Sequence, residues 1–397
     1  MHYVGIDIGK ERHAVGAIDD RCQVVLRSQF FAGDRGGYSS LTGLLHKLGL
    51  YGEVLIGMEA TGHYGKLLAH RLREDGWTVH MFNPAVTAAA AKSDLRGRKT
   101  DKLDALVIAH ALRDGRHSQS QAASPDEEKL KALGRQRTLL VRQRTECKNH
   151  LTALLDVLFP ELDGTFSASF TTSHLAMIER FPSAAVVASA DIRTLTKVLS
   201  TASCGQLGRE EAMALKKKAQ TSLARPRTNA GEEFAAQQTA AMIRTFDTQI
   251  QRVEEEMKTC TSPIATYLMS IKGTGKIMPF VIAGELGNLD RFQGPNMSHR
   301  VLAFAGCEPR IRESGKWKGH SKMSKRGSAT LRCALYLIAH TIQLNSPAFT
   351  DVYQRQKARG KTHAVALSHV MRAVVNTLCG MHKTRTLYRP PEVRKAC

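Results

Sequence analysis

Three short runs of β-forming residues crowd into the first thirty positions: YVGIDIG (3–9), HAVGAID (13–19) and QVVLRSQF (23–30). Only a few turn residues separate them. Runs joined this tightly pair antiparallel, so the chain is expected to open as a three-stranded meander. Alternation follows. GGYSSLTGLLHKLG (36–49) sets Leu41, Leu44, Leu45 and Leu48 at helical spacing. EVLIGME (53–59) reads as a buried strand, HYGKLLAHRLREDG (63–76) as a helix with a Gly stop, and WTVHMF (77–82) as the next strand. Pro84 then stands near the start of an Ala-rich helix.

A meander followed by strand–helix alternation is the order of an RNase H-like α/β domain, expected over residues 1–120. In such a sheet the first and fourth strands lie side by side. Asp7 ends the first and Glu59 follows the fourth, so the two carboxylates would meet at one sheet edge. In GRKTDKLDALVIAH (97–110), Asp101 and Asp104 share one helix face. Thr100 can cap that helix, and the helix dipole favours Asp101, which accounts for Asp101 alone. A carboxylate inside a Val/Ile strand, as at Asp7, is costly unless paired or metal-bound. Together Asp7, Glu59, Asp101 and Asp104 offer hard oxygen ligands for one or two Mg²⁺ ions. GIDIGK also occurs in actin-type ATP-binding domains, but no second phosphate-loop copy is evident here. GTGK (273–276) lacks phosphate-loop spacing.

The pattern then turns to long helix. Leu133, Leu140, Cys147, Leu151, Leu154 and Leu158 form a heptad-like stripe over 124–158, interrupted by Arg137 and Arg144. Ile243, Phe246, Ile250, Val253 and Met257 mark a second long helix over 232–258. The two would form an antiparallel coiled-coil arm or a plain bundle. Between them, residues 160–235 carry no motif with an assignable role. TSPIATYLMSIKGTGKIMPFVIAGELGNLDRF (261–292) reads as a helix–hairpin–helix whose Gly273 and Gly275 could offer backbone N–H groups to a phosphate. The rest, to 384, is expected to be mainly helical, with a Gly-rich basic loop over 306–330. The domains expected are thus 1–120, a helical 121–260, 261–384, and a disordered tail, 385–397.

That loop carries Arg310, Arg312, Lys316, Lys318, Lys322, Lys325, Arg326 and Arg332 against Glu313 alone, with Trp317 as a stacking candidate. The whole chain has 57 Lys and Arg against 36 Asp and Glu, a net charge of +21. Such an excess points to a polyanion partner, nucleic acid first. Ser314, in ESGK, can attack a phosphodiester while the bases hold the phosphoryl oxygens. Composition does not separate it from Ser321, Ser324 and Ser328. The eight cysteines form no CxxC pair and no zinc spacing, which fits a reduced cytoplasmic setting. No signal peptide or membrane span is expected, since no apolar stretch nears 18 residues.

The motifs GIDIGK, MEATGHYG, FNP (82–84), KTDKLDA, IKGTG, ELGNLDRF, FAGCEPRIRESG and SKRGSATLR, in this order, resemble the insertion-sequence transposases written "IS one-ten / IS eleven-eleven". The resemblance spans nearly the whole chain apart from the helical middle. It implies a RuvC-like N-terminal domain and a C-terminal transposase domain carrying a serine. Asp7, Glu59, Asp101 and Asp104 match the family's acidic tetrad, and Ser314 the serine of its SG motif. It also implies donor and target DNA as substrates, a structured guide (bridge) RNA encoded beside the gene, and a homodimer or homotetramer. The chain departs from the family at Gly327–Ser328, where Gly–Asn is common, and at Lys272–Gly273, where Pro–Gly is common. Two other readings fit the residues. One is a RuvC-like nuclease or resolvase that uses water at the tetrad. The other is a non-catalytic nucleic-acid-binding protein.

Overall fold

The computed structural model describes residues 1–59, 64–82, 101–115, 124–166, 168–224, 229–310, 313–314, 317–318 and 322–390, with 101–103, 310, 313, 314, 317, 318 and 322 described as backbone. The chain forms two units, Met1–Ala122 and Ala123–Cys397.

In the first unit, β1 (His2–Ile8), β2 (Arg12–Asp19) and β3 (Val24–Ala32) form the expected antiparallel meander. Then come α1 (Arg35–Leu48), β4 (Val54–Glu59), α2 (Tyr64–Glu74), β5 (Thr78–Phe82) and α3 (Asp101–Arg113). β4 runs parallel to β1, and β5 to β4, giving the sheet order β3-β2-β1-β4-β5. Parallel neighbours need a crossover, which α1 and α2 supply. Val4, Ile6, Ile8 and Val15 share a core with Leu41 and Leu45 of α1 and Leu68 and Leu72 of α2.

The other face takes α3. The register sets Gly5 opposite Gly16 on one side and Gly57 on the other, so three glycines make one row across the sheet. A Cβ on Gly5 would lie 1.9 Å from the Ala105 carbonyl oxygen. One on Gly57 would meet Phe82 at 2.8 Å and Ile108 at 3.0 Å, and one on Gly16 would meet Leu106 at 2.9 Å. The row is a trough in which the α3 backbone lies directly on the strands. The helix expected after Pro84 lies outside the described residues.

The second unit opens with α4 (Pro125–Leu158), a 34-residue helix. Glu127 N–H donates to Ser124 Oγ, Ser124 N–H donates to Glu127, and Pro125 follows the cap, which together define the start. Next are α5 (Thr172–Arg180), α6 (Ala184–Ser189), α7 (Ile192–Ala202), α8 (Arg209–Gln220) and α9 (Ala230–Lys258). Lys129 pairs with Glu256, Arg137 with Glu254 and Arg144 with Asp247, so α4 and α9 run antiparallel. The two arginines that break the apolar stripe of α4 are thus cations of interhelical pairs.

This α4–α9 pair is neither a bare arm nor a plain bundle. Leu151, Leu155 and Leu158 of α4 and Ala236, Ala240 and Ile243 of α9 share a core with α5–α8. Residues 160–235, which carry no motif, therefore form a helical cap on one end of the pair. At the other end, Leu130 and Met257 join a second core. That core is built from α10 (Pro263–Met269), α11 (Met278–Leu286), α12 (Met297–Ala305), and α13 (Ala329–Asn345), α14 (Pro347–Ala358) and α15 (His363–Thr384).

The basic stretch between α12 and α13 is more than loop. β6 (Pro309–Arg310) pairs with β9 (Lys322–Met323), and β7 (Glu313–Ser314) with β8 (Trp317–Lys318), each antiparallel. Two further expectations need correction. Among the described residues, α15 is long and apolar enough to cross a membrane. Its Leu367, Val370, Val374 and Leu378 are buried in the second core. The tail expected to be disordered from 385 is held as far as 390. Tyr388 N–H donates to Ser270 Oγ at 3.0 Å, and its ring meets Phe349.

Candidate active site

β1 and β4 end together. The ladder pairs Gly5 with Gly57 and Ile6 with Met58, so its next step sets Asp7 beside Glu59. Each acid stands two residues past a glycine of the row. Side chains alternate along a strand, so both belong to the face that carries α3. The direction of α3 is fixed at its far end. There Cys22, in the β2–β3 turn, contacts His110 Nδ1 at 3.8 Å and accepts from Arg113. The N-terminus of α3, with Asp101 and Asp104, therefore lies at the end where β1 and β4 finish. Asp7, Glu59 and Asp104 are each partly buried.

Three expected site residues thus share one end and one face of the sheet, with the positive end of a helix dipole beside them. The donors are carboxylate oxygens, which suits a hard cation such as Mg²⁺. They do not close a cage by themselves. Among the described residues, no group of three or more His, Cys, Asp or Glu stands close enough to hold a metal ion. The Asp101 side chain lies outside those residues. The glycine spacing was open to reading in advance: Gly–x–acid occurs in both VGIDIG and IGME.

Ser314 belongs to the second unit. Across the β7–β8 pair its Cα partner is Trp317, and Glu313 faces Lys318. Arg312, Lys316 and Ser321 lie outside the described residues, as do the side chains of Arg310, Ser314, Trp317, Lys318 and Lys322. Lys325 and Arg326 are exposed. The neck of the segment is pinched: a Cβ on Gly306 would sit 2.9 Å from the Arg326 backbone, and one on Gly327 would sit 2.3 Å from Phe304 O. Lys325 N–H donates to Gly306 O at 3.0 Å, and Ser324 N–H to Glu308 O at 2.8 Å.

The serines can now be told apart. Ser328 caps α13: its Oγ accepts from Leu331 N–H at 3.1 Å and donates to Glu285 at 2.6 Å. Glu285 is 3% exposed. Burial alone pushes its carboxyl up, but hydrogen bonds from Arg135 and Ser328 outweigh this and hold it below the usual Glu value. Arg135 Nε donates to Glu285 at 2.7 Å, so α4, α11 and the start of α13 meet on one carboxylate. Sequence reasoning passed over Glu285, although a lone acid in PFVIAGEL was the clue. Ser324 Oγ accepts from Arg326 N–H at 3.4 Å.

The hairpin glycines divide as well. Gly273 (φ +97°) packs on the end of α13, where a Cβ would meet Asn345 at 2.7 Å. Gly275 (φ +74°) has open space around its Cβ position. Gly273 therefore has a packing role of its own.

Two family models match. Residues 4–160 match a transposase model described as DEDD_Tnp_IS110, and residues 265–354 match "Transposase IS116/IS110/IS902 family". The stretch between them contains the helical cap. The chain is 24% identical to the "Insertion element IS116 uncharacterized 44.8 kDa protein" of Streptomyces clavuligerus, covering 98% of this chain and 96% of that protein. It is 25% identical to the "Insertion element IS900 uncharacterized 42 kDa protein" of Mycobacterium paratuberculosis, covering 98% and 97%. It is 26% identical to a "Probable family 20 transposase" of Pseudomonas aeruginosa, covering 98% of each. With both ends matched to family models and relatives aligned along nearly its full length, this chain is a transposase that belongs to the IS110/IS116 insertion-element family.

Proposed function

We propose that the protein cuts and rejoins DNA strands through a covalent serine intermediate, at a site completed by a Mg²⁺-binding acidic tetrad on an RNase H-like sheet. The observation that carries this reading is the convergence of Asp7, Glu59 and the N-terminus of α3 at one end of the glycine trough. The strand order β3-β2-β1-β4-β5 supports the RNase H-like assignment. Asp7, Glu59, Asp101 and Asp104 would hold Mg²⁺, which when bound stabilises charge on the scissile phosphate. The Ser314 hydroxyl attacks phosphorus and gives up its proton. The bond to the sugar oxygen breaks, and that oxygen is protonated as it leaves. A sugar hydroxyl from the exchanged strand then attacks the phosphoserine, which seals the DNA and frees Ser314. Arg310, Arg312 and Lys316 offset charge on the pentavalent transition state.

The role of Ser328 as a helix cap supports Ser314 over that neighbour. The net charge of +21 supports extended nucleic-acid contacts, DNA and a guide RNA among them. If pairing selects the sites, the protein reads backbone and shape. A homodimer or homotetramer would bring tetrads and serines of different subunits to one DNA. The test is incubation with cognate DNA and RNA, with and without Mg²⁺, followed by denaturing detection of protein–DNA adducts. Adducts that need both Mg²⁺ and Ser314 support the reading. Cleavage without adducts would transfer the assignment to a water-using nuclease.

A further inference from the structure

The helical cap holds a cavity of about 150 Å³ between the C-terminal end of α4 and the start of α5. Phe159, Phe166, Phe170, His174, Asp156 and Asp163 are among its lining residues. His174 is 6% exposed. Its place is set by the helix start: Thr171 caps α5, and Phe170 N–H donates to His174 Nδ1 at 2.9 Å. Nδ1 is therefore an acceptor, so in the neutral ring the proton sits on Nε2. Burial holds the ring neutral, with its pKa lowered to about 4. The buried Nε2 has no hydrogen-bond partner in the protein. A buried donor without an acceptor is costly, and here it stands in the wall of a cavity.

The surroundings narrow what would fill it. Phe166 stacks on the His174 ring with centroids 4.8 Å apart. Phe170 adds a second aromatic surface, with Lys148 Nζ 5.1 Å from its centroid. Lys218 Nζ donates to Thr165 Oγ1 at 3.0 Å, beside Phe166. Asp156 and Asp163 are exposed carboxylates and accept only. A planar ligand needs an acceptor for Nε2–H and N–H donors for a carboxylate, and the two lysines add a place for an anion. Guanine has that pattern: N1–H and N2–H₂ together match a carboxylate, O6 and N7 accept, and its phosphate is the anion. Uracil and thymine offer one ring N–H. Unpaired bases are commonly recognised by stacking on aromatic rings and reading of base edges.

We propose that the cap formed around residues 152–174 binds an unstacked guanine base of a single-stranded nucleic acid, held by aromatic stacking, by His174 Nε2–H and by the Asp156 and Asp163 carboxylates. This rests on the chain being a transposase, not on Ser314 or the acidic tetrad.

The test uses the full chain and guanosine 5′-monophosphate, observed by saturation-transfer NMR in excess inorganic phosphate, which suppresses binding at the basic loop. The expected result is transfer to the guanine H8 proton, with weaker transfer to the uridine and cytidine monophosphates. Asp156→Asn/Asp163→Asn and Phe166→Leu, which alter the cavity rim rather than the buried His174, should each weaken binding roughly ten- to hundred-fold. The variants' circular dichroism should match the parent. Absence of transfer from any nucleotide overturns the proposal, and so does guanine binding that these folded variants retain in full. Adduct formation by the same preparations is read separately, so failure of the pocket is distinct from failure of the serine mechanism.

Discussion

Alanine at Gly5 tests whether the glycine trough sets the position of α3. Its Cβ would lie 1.9 Å from Ala105 O and 2.7 Å from Ala109 N, both backbone atoms of a helix. No rotamer change relieves such a contact, so α3 must retreat from β1 by roughly 1 Å, at a cost of about 3 kcal/mol, the upper end of ordinary overpacking. That is on the order of a hundredfold in the folding constant. Two controls grade the effect. At Gly16 the Cβ meets only the Leu106 side chain, at 2.9 Å, which can shift, so Gly16→Ala should cost about 1 kcal/mol. Gly43 is an exposed position within α1 with nothing within 4 Å, and Gly43→Ala should stabilise by about 0.5–1 kcal/mol. The assay is urea unfolding in a Trp317→Phe background, where emission comes from Trp77, buried in the first unit. If Gly5→Ala unfolds at the same urea concentration as its parent, the trough does not position α3 and the account of the carboxylate cluster fails with it.

Other outcomes follow from the same contacts. Asp7→Asn and Asp104→Asn should each reduce Mg²⁺-dependent strand joining by about a hundredfold or more while moving the unfolding midpoint little, as gel-based joining and urea titration would report. Ser314→Ala should abolish adducts and leave stability unchanged. Ser328→Ala should do the reverse, losing about 1 kcal/mol as a helix cap and keeping its adducts. A double-mutant cycle on Arg137 and Glu254, partly buried across the α4–α9 pair, should return a coupling of roughly 0.5–1 kcal/mol that shrinks in high salt. Because His174 has a lower pKa folded than unfolded, the stability it contributes is full above pH 6.5 and declines as pH falls toward about 4. Urea midpoints over that window should fall more for the parent than for His174→Phe.

Elements with a strong period were legible in the sequence. The meander, α1, α2 and the two long helices carry their pattern in local spacing, and their observed bounds lie within a few residues of those expected. The adjacency of Asp7 and Glu59 followed from strand order. What local spacing does not carry is pairing at a distance. The alignment of Gly5, Gly16 and Gly57 exists only once three strands are in register. The partners of Arg137 and Arg144 appear only when a helix a hundred residues away lies alongside. The cap's short helices do announce themselves by their caps, Thr171, Ser183 and Asp191, but their apolar faces are too brief to stand out as periodic. Strands of two residues, as around Ser314, have no period at all.

The α4–α9 pair also works as a gauge. Leu130 sits in one core and Leu155 in the other, so the helical rise sets them roughly 37 Å apart. That interval is adjustable only in steps. Seven residues added to both helices would carry the cap outward by about 10 Å and rotate its seating by only about 20°. Two residues added to both would swing each apolar stripe by about 200° and turn it toward solvent. Relatives that hold a nucleic acid at a different reach should therefore differ here by whole heptads, matched between the two helices.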